Sequence, residues 1–371
     1  MSFRRDRLTW VAYALLAWFA FLQAAPGLVV PYLRDELDIG YTTGGLHVAA
    51  FAAGSTLAGL SAPRLEAALG RRALLWGSVA VMMLGVAGLV AGPVVAVTIG
   101  SLLVAGYGGG LLLATDQALL ADHHGEQRAI ALTEANVCAS AAYVLLVGAI
   151  ALLDWRAALL ASFLAPVALF AAARAVPITT APAARADHGR LGAAFAVAAT
   201  MMFCTVAAEW CLTAWGASFA EEAADVSADT AVALMFGYFG GVLAGRVTGS
   251  ALARRHPPPR LLAAALVVAA LGFAVLWPAT NPAQVFAGLF VIGVGLGNLF
   301  PFALAVTVAL APDRAALASG RAVLAGSTAV LLAPLTIGAL ADATSITGAL
   351  LVVPVMLALA ALALYWVTLR L

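Results

Sequence analysis

Unbroken apolar runs of about 20 residues recur from one end of this chain to the other, each long enough to cross roughly 30 Å of hydrocarbon as a helix. With 64% apolar residues, 10% charged ones and a mean hydropathy of +1.03, the chain has too little polar surface to clothe a soluble globule of its size. A closed barrel would show short segments of alternating polarity, so helices are the spanning structure that fits. The runs predict twelve spans at 8–33, 43–65, 73–91, 94–119, 129–152, 156–174, 191–218, 230–252, 259–278, 283–310, 317–341 and 346–369. The expected architecture is an all-α polytopic membrane protein.

The chain also repeats itself. Ala50, Gly54, Ala58 and Ala62 stand 187 residues before Gly237, Gly241, Gly245 and Gly249; Gly106, Gly108 and Gly110 stand the same distance before Gly293, Gly295 and Gly297. That offset is close to half the length, which predicts two tandem six-helix repeats: a bundle over 1–174, a linker over 175–190 and a second bundle over 191–371. Small residues at every fourth position in spans 2 and 8 let another helix approach closely, and their recurrence in both halves suggests a sliding interface between the bundles.

All 19 basic residues are arginine. They gather at alternate ends: Arg4, Arg5 and Arg7 before span 1, Arg64, Arg71 and Arg72 after span 2, Arg174, Arg185 and Arg190 around the linker, and Arg254, Arg255 and Arg260 after span 8. The intervening ends carry acids, including Asp35, Glu36 and Asp38, or Glu221, Glu222, Asp225 and Asp229. The positive-inside rule places both termini and the middle linker in the cytoplasm, and the membrane is expected to be a bacterial inner membrane. The apolar stretch after MSFRRDR has no convincing cleavage site and reads as a retained first helix. Cys138, Cys204 and Cys211 fall inside spans and read as small apolar packers.

Twelve spans in two repeats, cytoplasmic termini and Gly70-Arg71-Arg72 after span 2 resemble the major facilitator superfamily. The family's loop signature departs here at Pro63, Ala67 and Ala68, which stand for its first glycine, its aspartate and its first arginine. Span 4 has Leu102 where drug and proton antiporters of the family carry arginine, and span 5 lacks their glycine-proline run, so a standard multidrug antiporter is disfavoured. The resemblance implies alternating access around a central cavity lined mainly by spans 1, 4, 7 and 10.

Ionisable groups inside a membrane are costly, so each is a candidate site. Asp116, Glu134, Arg246 and Arg321 lie close to cytoplasmic helix ends. By the family's helix facing, Glu134 to Arg246 is expected to bridge the halves when the cytoplasmic side is closed. Arg321 is expected on Glu66, and Asp116 on Arg64 or Arg321. Gating and mere neutralisation of buried charge are equally open readings of such pairs. Glu209 in span 7 is expected in the outer half of its span with no arginine at its depth, which suits it to load and release a proton or to attract a cation. It can also simply face water or hydrogen-bond a neighbouring helix, with His47 as a candidate partner. Trp210 and Trp215 would add aromatic surface. Gln23 and Asn298 are cavity candidates or satisfy backbone near Pro26 and Pro301. His123 and His124 read as a solvated loop rather than a metal site.

These readings converge on a secondary transporter of a small organic solute, coupled to protons through Glu209. It is expected to act as a monomer in the lipid bilayer, with no catalytic centre, cofactor, metal or nucleic-acid partner. A receptor or scaffold of degenerate transporter fold, and a lipid flippase, are the alternatives.

Overall fold

A computed structural model describes residues 3–178 and 191–369; most of the expected linker, 179–190, lies outside the described residues. The described residues form fifteen α-helices and no strand. They are α1 (Arg7–Leu37), α2 (Tyr41–Leu69), α3 (Arg71–Ala91), α4 (Val95–His124), α5 (Arg128–Leu153), α6 (Trp155–Ala161), α7 (Leu164–Ala173) and α8 (Ala193–Ala224). There follow α9 (Ala228–Leu252), α10 (Pro258–Leu276), α11 (Pro282–Leu296), α12 (Leu299–Ala309), α13 (Ala315–Ala343), α14 (Ile346–Ala349) and α15 (Val352–Thr368).

Fifteen helices make twelve spans because three spans are broken, at α6/α7, α11/α12 and α14/α15. Each break has a residue four positions before a proline: Ser162 before Pro166, Gly297 before Pro301 and Leu350 before Pro354. Proline has no N–H to give the carbonyl one turn back, so that carbonyl is freed and the ladder opens there. Pro63 in α2 and Pro334 in α13 lie inside helices that continue past them.

Most helix starts at the end away from the arginines are capped locally. Asp154 accepts from the N–H groups of Arg156 and Ala157 at the start of α6, and Ser227, Asn281 and Ser345 do the same for α9, α11 and α14. Asp38 and Asp225 end α1 and α8 with φ of 50° each, at positions 187 apart.

Contacts divide the chain into two units, Met1–Val29 with His47–Ala183, and Val30–Leu46 with Ala184–Leu371. Within each unit the repeat is a repeat of packing. A Cβ on Gly54 of α2 would strike the backbone of Leu103 and Tyr107 on α4; one on Gly241 of α9 would strike Phe290 and Val294 on α11. Gly108 likewise abuts Met82 of α3, and Gly295 abuts Ala269 of α10. Every residue in the second set is 187 positions after its counterpart. This corrects the expectation of a sliding interface: from Gly54 onward in α2, and from Gly237 to Gly249 in α9, the close-approach glycines face a helix of their own unit.

Candidate functional site

Glu209 lies midway along α8, 16 residues from Ala193 and 15 from Ala224. Its Oε1 stands 3.7 Å from Nη2 of Arg246 on α9, with side chains 14% and 20% exposed. The sequence expectation that no arginine reaches this acid is therefore wrong, for a geometric reason. Side chains lean toward the N-terminus of their helix, and α8 and α9 run in opposite directions, so the two lean toward each other. At this distance the contact is an ion pair without a hydrogen bond.

Arg246 is anchored a second time. Its Nε donates to the carbonyl oxygen of Gly297 at 3.3 Å, the carbonyl that Pro301 leaves without a helical donor. The backbone carbonyl of Glu209 accepts from the hydroxyls of Tyr238, at 3.0 Å, and Thr213, at 2.9 Å. The acid, its arginine and the α11/α12 break thus form one connected group.

The other cavity candidates divide. Asn298 is 8% exposed and its amide donates to the Gly245 carbonyl at 2.7 Å, seating it on the α9 glycine stripe; the freed carbonyl near Pro301 belongs to Arg246 instead. Trp215 is 0% exposed and its indole N–H is committed to the Pro334 carbonyl at 2.8 Å. Trp210 is half-buried, as is Gln23, whose amide oxygen accepts from the Tyr143 hydroxyl at 3.3 Å. His47 is not a partner for Glu209, because its ring is buried against the Thr98 hydroxyl at 2.8 Å. Asp116 is 0% exposed and neither carboxyl oxygen has a hydrogen-bond partner among the described residues, so neither expected partner, Arg64 or Arg321, is bonded to it. A buried carboxyl without partners is costly in hydrocarbon, which keeps Asp116 a candidate site.

At the arginine-rich end the acids expected to bridge the halves have partners in their own unit. Glu134 accepts two bonds from Arg5, at 2.8 and 2.6 Å, and one from the Tyr13 hydroxyl at 3.1 Å. Glu66 is taken by Arg71 at 2.6 Å, rather than by Arg321, which is exposed on α13. Arg71 is only 7% exposed and also holds Asp122 of α4 at 2.5 Å. Glu66 therefore supplies, one position early, a carboxylate where the family's loop aspartate is replaced by Ala67. Gly70 turns the chain into α3 with a φ of 79°, a conformation that favours glycine. Arg72 donates to the Val176 carbonyl at 2.5 Å, beyond the end of α7.

His123 and His124 are not in a loop. They complete the last turn of α4 and meet the N-terminal segment, His123 on the Asp6 carboxylate at 2.7 Å and His124 on the Thr9 hydroxyl at 2.9 Å. Asp6 also caps α1 by accepting from the Thr9 N–H at 2.9 Å. Partial burial works against ionisation of Asp6, but the bonds from Thr9 and the contact with His123 outweigh it and hold its carboxyl below the ordinary aspartate range.

Sequence reasoning missed a cluster in the second unit, at the end away from the arginines. Residues 30–46 pack there with the helices of the C-terminal half. The Tyr41 hydroxyl donates to Glu222 at 3.0 Å and the Tyr32 hydroxyl to Asp229 at 2.9 Å. The Arg34 guanidinium lies 3.6 Å over the Tyr41 ring, which in turn meets Trp215 at 5.6 Å. Asp342 of α13 accepts from the Tyr41 and Thr42 N–H groups at 2.8 Å each. One signal was available: α2 follows Ile39-Gly40, with no side chain there to cap it, so its first N–H groups required an acceptor from elsewhere.

The family sequence model described as Major Facilitator Superfamily matches residues 191–370. Among solved structures, two forms of a bacterial homologue of the human lysosomal transporter Spinster are similar to this chain. The inward-facing unoccupied form has a TM-score of 0.79 at 12% identity, covering 99% of each chain. The inward-facing occupied form has a TM-score of 0.80 at 14% identity, covering 100% of this chain and 98% of the other. A mutant of the nucleoside transporter NupG has a TM-score of 0.78 at 11% identity, covering 98% of this chain and 99% of the other. At such identities the likeness speaks for the fold. Comparison with curated protein sequences finds no match. The second repeat of the chain, residues 191–370, thus matches the major facilitator superfamily in sequence, and nearly the whole chain shares its fold with these transporters.

Proposed function

We propose that this protein is a secondary transporter that carries a small organic solute across a bacterial cytoplasmic membrane by alternating access, as a monomer with both termini in the cytoplasm. The observation that carries the coupling part of this reading is the Glu209–Arg246 pair. It sits halfway along a span that the family resemblance assigns to the cavity wall, with the two charged groups 3.7 Å apart.

Protonating Glu209 removes the charge that holds the Arg246 head group. Because Arg246 also holds the carbonyl at the α11/α12 break, the proton state of Glu209 is linked to the shape of that span. We take Glu134 as the partner that Arg246 adopts when the cytoplasmic side closes, with Arg5 released. Gln23 and Trp210 are the remaining candidates for solute contact, and Asp116 is a second carboxyl that a change of exposure would ionise.

The test is proton release from purified protein on adding members of a metabolite and drug panel, comparing the native chain with Glu209→Gln. A solute that displaces protons only when Glu209 is present supports coupling through this acid. Binding that survives the substitution, with no proton movement in either protein, removes it in favour of uniport or a receptor role.

A further inference from the structure

The membrane-facing side of the second unit carries an open groove of about 580 Å³ between α10 and α15. Its floor is Leu266, Leu357 and Leu364, all buried, and it stays open because small residues, Ala263, Ala270 and Ala361, stand along its walls. One end is polar, with Arg260, Tyr365 and Thr368; the other, at Ala270 and Pro354, is wholly apolar. From Arg260 to Ala270 the groove follows ten residues of helix, about 15 Å, which is the depth of one leaflet of hydrocarbon.

The internal repeat gives this groove a control. In the first unit the positions of Ala263 and Leu357 are held by Trp76 and Phe170, whose rings meet edge to face at 5.1 Å and fill the same place between α3 and α7. The position of Arg260 is Ala73 there, and the neighbouring arginines are engaged, Arg71 by Glu66 and Asp122, and Arg72 by the Val176 carbonyl. In the second unit the opposite holds. Arg260 is exposed at the polar end, Arg254 and Arg255 are exposed just before α10 in the chain, and among the described residues the side chains of these three form no ion pair or hydrogen bond. The second repeat has thus traded an aromatic plug for a slot, and gained an uncommitted arginine, Arg260, at its mouth.

We propose that this groove is a binding site for an anionic phospholipid of the leaflet at the arginine-rich end. An acyl chain would lie along the leucine floor, and the phosphate would be held by Arg260 with the Tyr365 hydroxyl beside it. A zwitterionic lipid can occupy the same slot, but its cationic group opposes the arginines, so the anionic headgroup is preferred. Each arginine near a charged headgroup contributes about a five-fold preference.

Purified full-length protein in neutral detergent is the material for the test, with dioleoyl phosphatidylglycerol and dioleoyl phosphatidylcholine as probes and bound lipid counted by native mass spectrometry. The native chain is expected to bind phosphatidylglycerol at least about five-fold more tightly, and Arg260→Gln to lose about that factor. Ala263→Trp, which copies the first repeat, is expected to abolish binding of both lipids. Equal binding of the two lipids by the native chain, or unaltered phosphatidylglycerol binding by Ala263→Trp, would overturn the proposal. So would displacement of the lipid by inorganic phosphate at equal concentration, which would mean that the acyl chain contributes nothing. If Ala263→Trp does not yield folded protein, Ala361→Leu fills the facing wall and takes its place.

Discussion

Asp342, at the end of α13, caps a helix that lies 300 residues away in sequence, accepting the N–H groups of Tyr41 and Thr42 at 2.8 Å each. A carboxylate at a helix N-terminus meets both unsatisfied donors and the positive end of the helix dipole. Asp342→Ala is expected to cost about 0.5–2 kcal/mol, the range of a lost N-cap, and Asp342→Asn less, since its amide oxygen still accepts. Thermal melting of the detergent-solubilised protein checks the order. Equal losses for the two variants would show that charge, rather than acceptance of a hydrogen bond, is what counts.

The Glu209–Arg246 pair predicts a non-additive mutant cycle. Arg246→Met leaves a buried acid without its cation, and Glu209→Gln leaves a buried cation without its acid. Each single change is expected to cost more than the double change Glu209→Gln/Arg246→Met, with a coupling of about 0.5–3 kcal/mol. Additive losses in denaturation midpoints would show that the two side chains do not act on each other.

Gly54 and Gly241 occupy equivalent helix crossings, so the same insult should have the same effect at both. Gly54→Ala and Gly241→Ala are each expected to destabilise by about 1–3 kcal/mol, because the new Cβ would fall on the backbone of α4 or α11. A methyl group added at Gly59, on the same helix as Gly54, would meet nothing within 4 Å, and Gly59→Ala is expected to stabilise by about 0.5–1 kcal/mol. Stability measurements on the three variants decide whether crossings or helix propensity dominate.

Asp6 supplies a dependence on pH. Its carboxyl is held below the ordinary aspartate range, so its contribution is present above the unfolded value, near 4, and is lost as pH falls through the lower folded value. Protection of the amides of residues 3–10, taken as exchange relative to the intrinsic rate at each pH, is expected to fall on acidification through that window, and Asp6→Asn to show lower protection already at neutral pH. Exchange that is the same in Asp6→Asn and in the native chain would remove the cap as the cause.

Much of the fold is legible in the sequence because the bilayer fixes helix length and the 187-residue offset fixes the division into repeats. The breaks at Gly297 and Leu350 follow from Pro301 and Pro354. The site is harder to read, since depth along a helix says nothing of how far a long side chain leans. That is why sequence alone puts Arg246 at the helix end, although its head group reaches Glu209. The bond from the Trp215 indole to the Pro334 carbonyl is likewise invisible in sequence, since it joins residues 119 positions apart. The cluster around Tyr41 joins residues about 180 to 300 positions apart, and only the missing local cap of α2 hints at it.

The chain passes between its two units three times, and two of those passages lie within continuous helices, at Val29–Val30 in α1 and at Leu46–His47 in α2. Severing the backbone between 175 and 190 would therefore not part the protein into its two compact bodies. The N-terminal fragment would still own residues 30–46, a clip seated in the other body. Pro26 and Pro31 bracket the passage in α1 and leave the Leu22 and Gly27 carbonyls without helical donors, although the helix runs on through both.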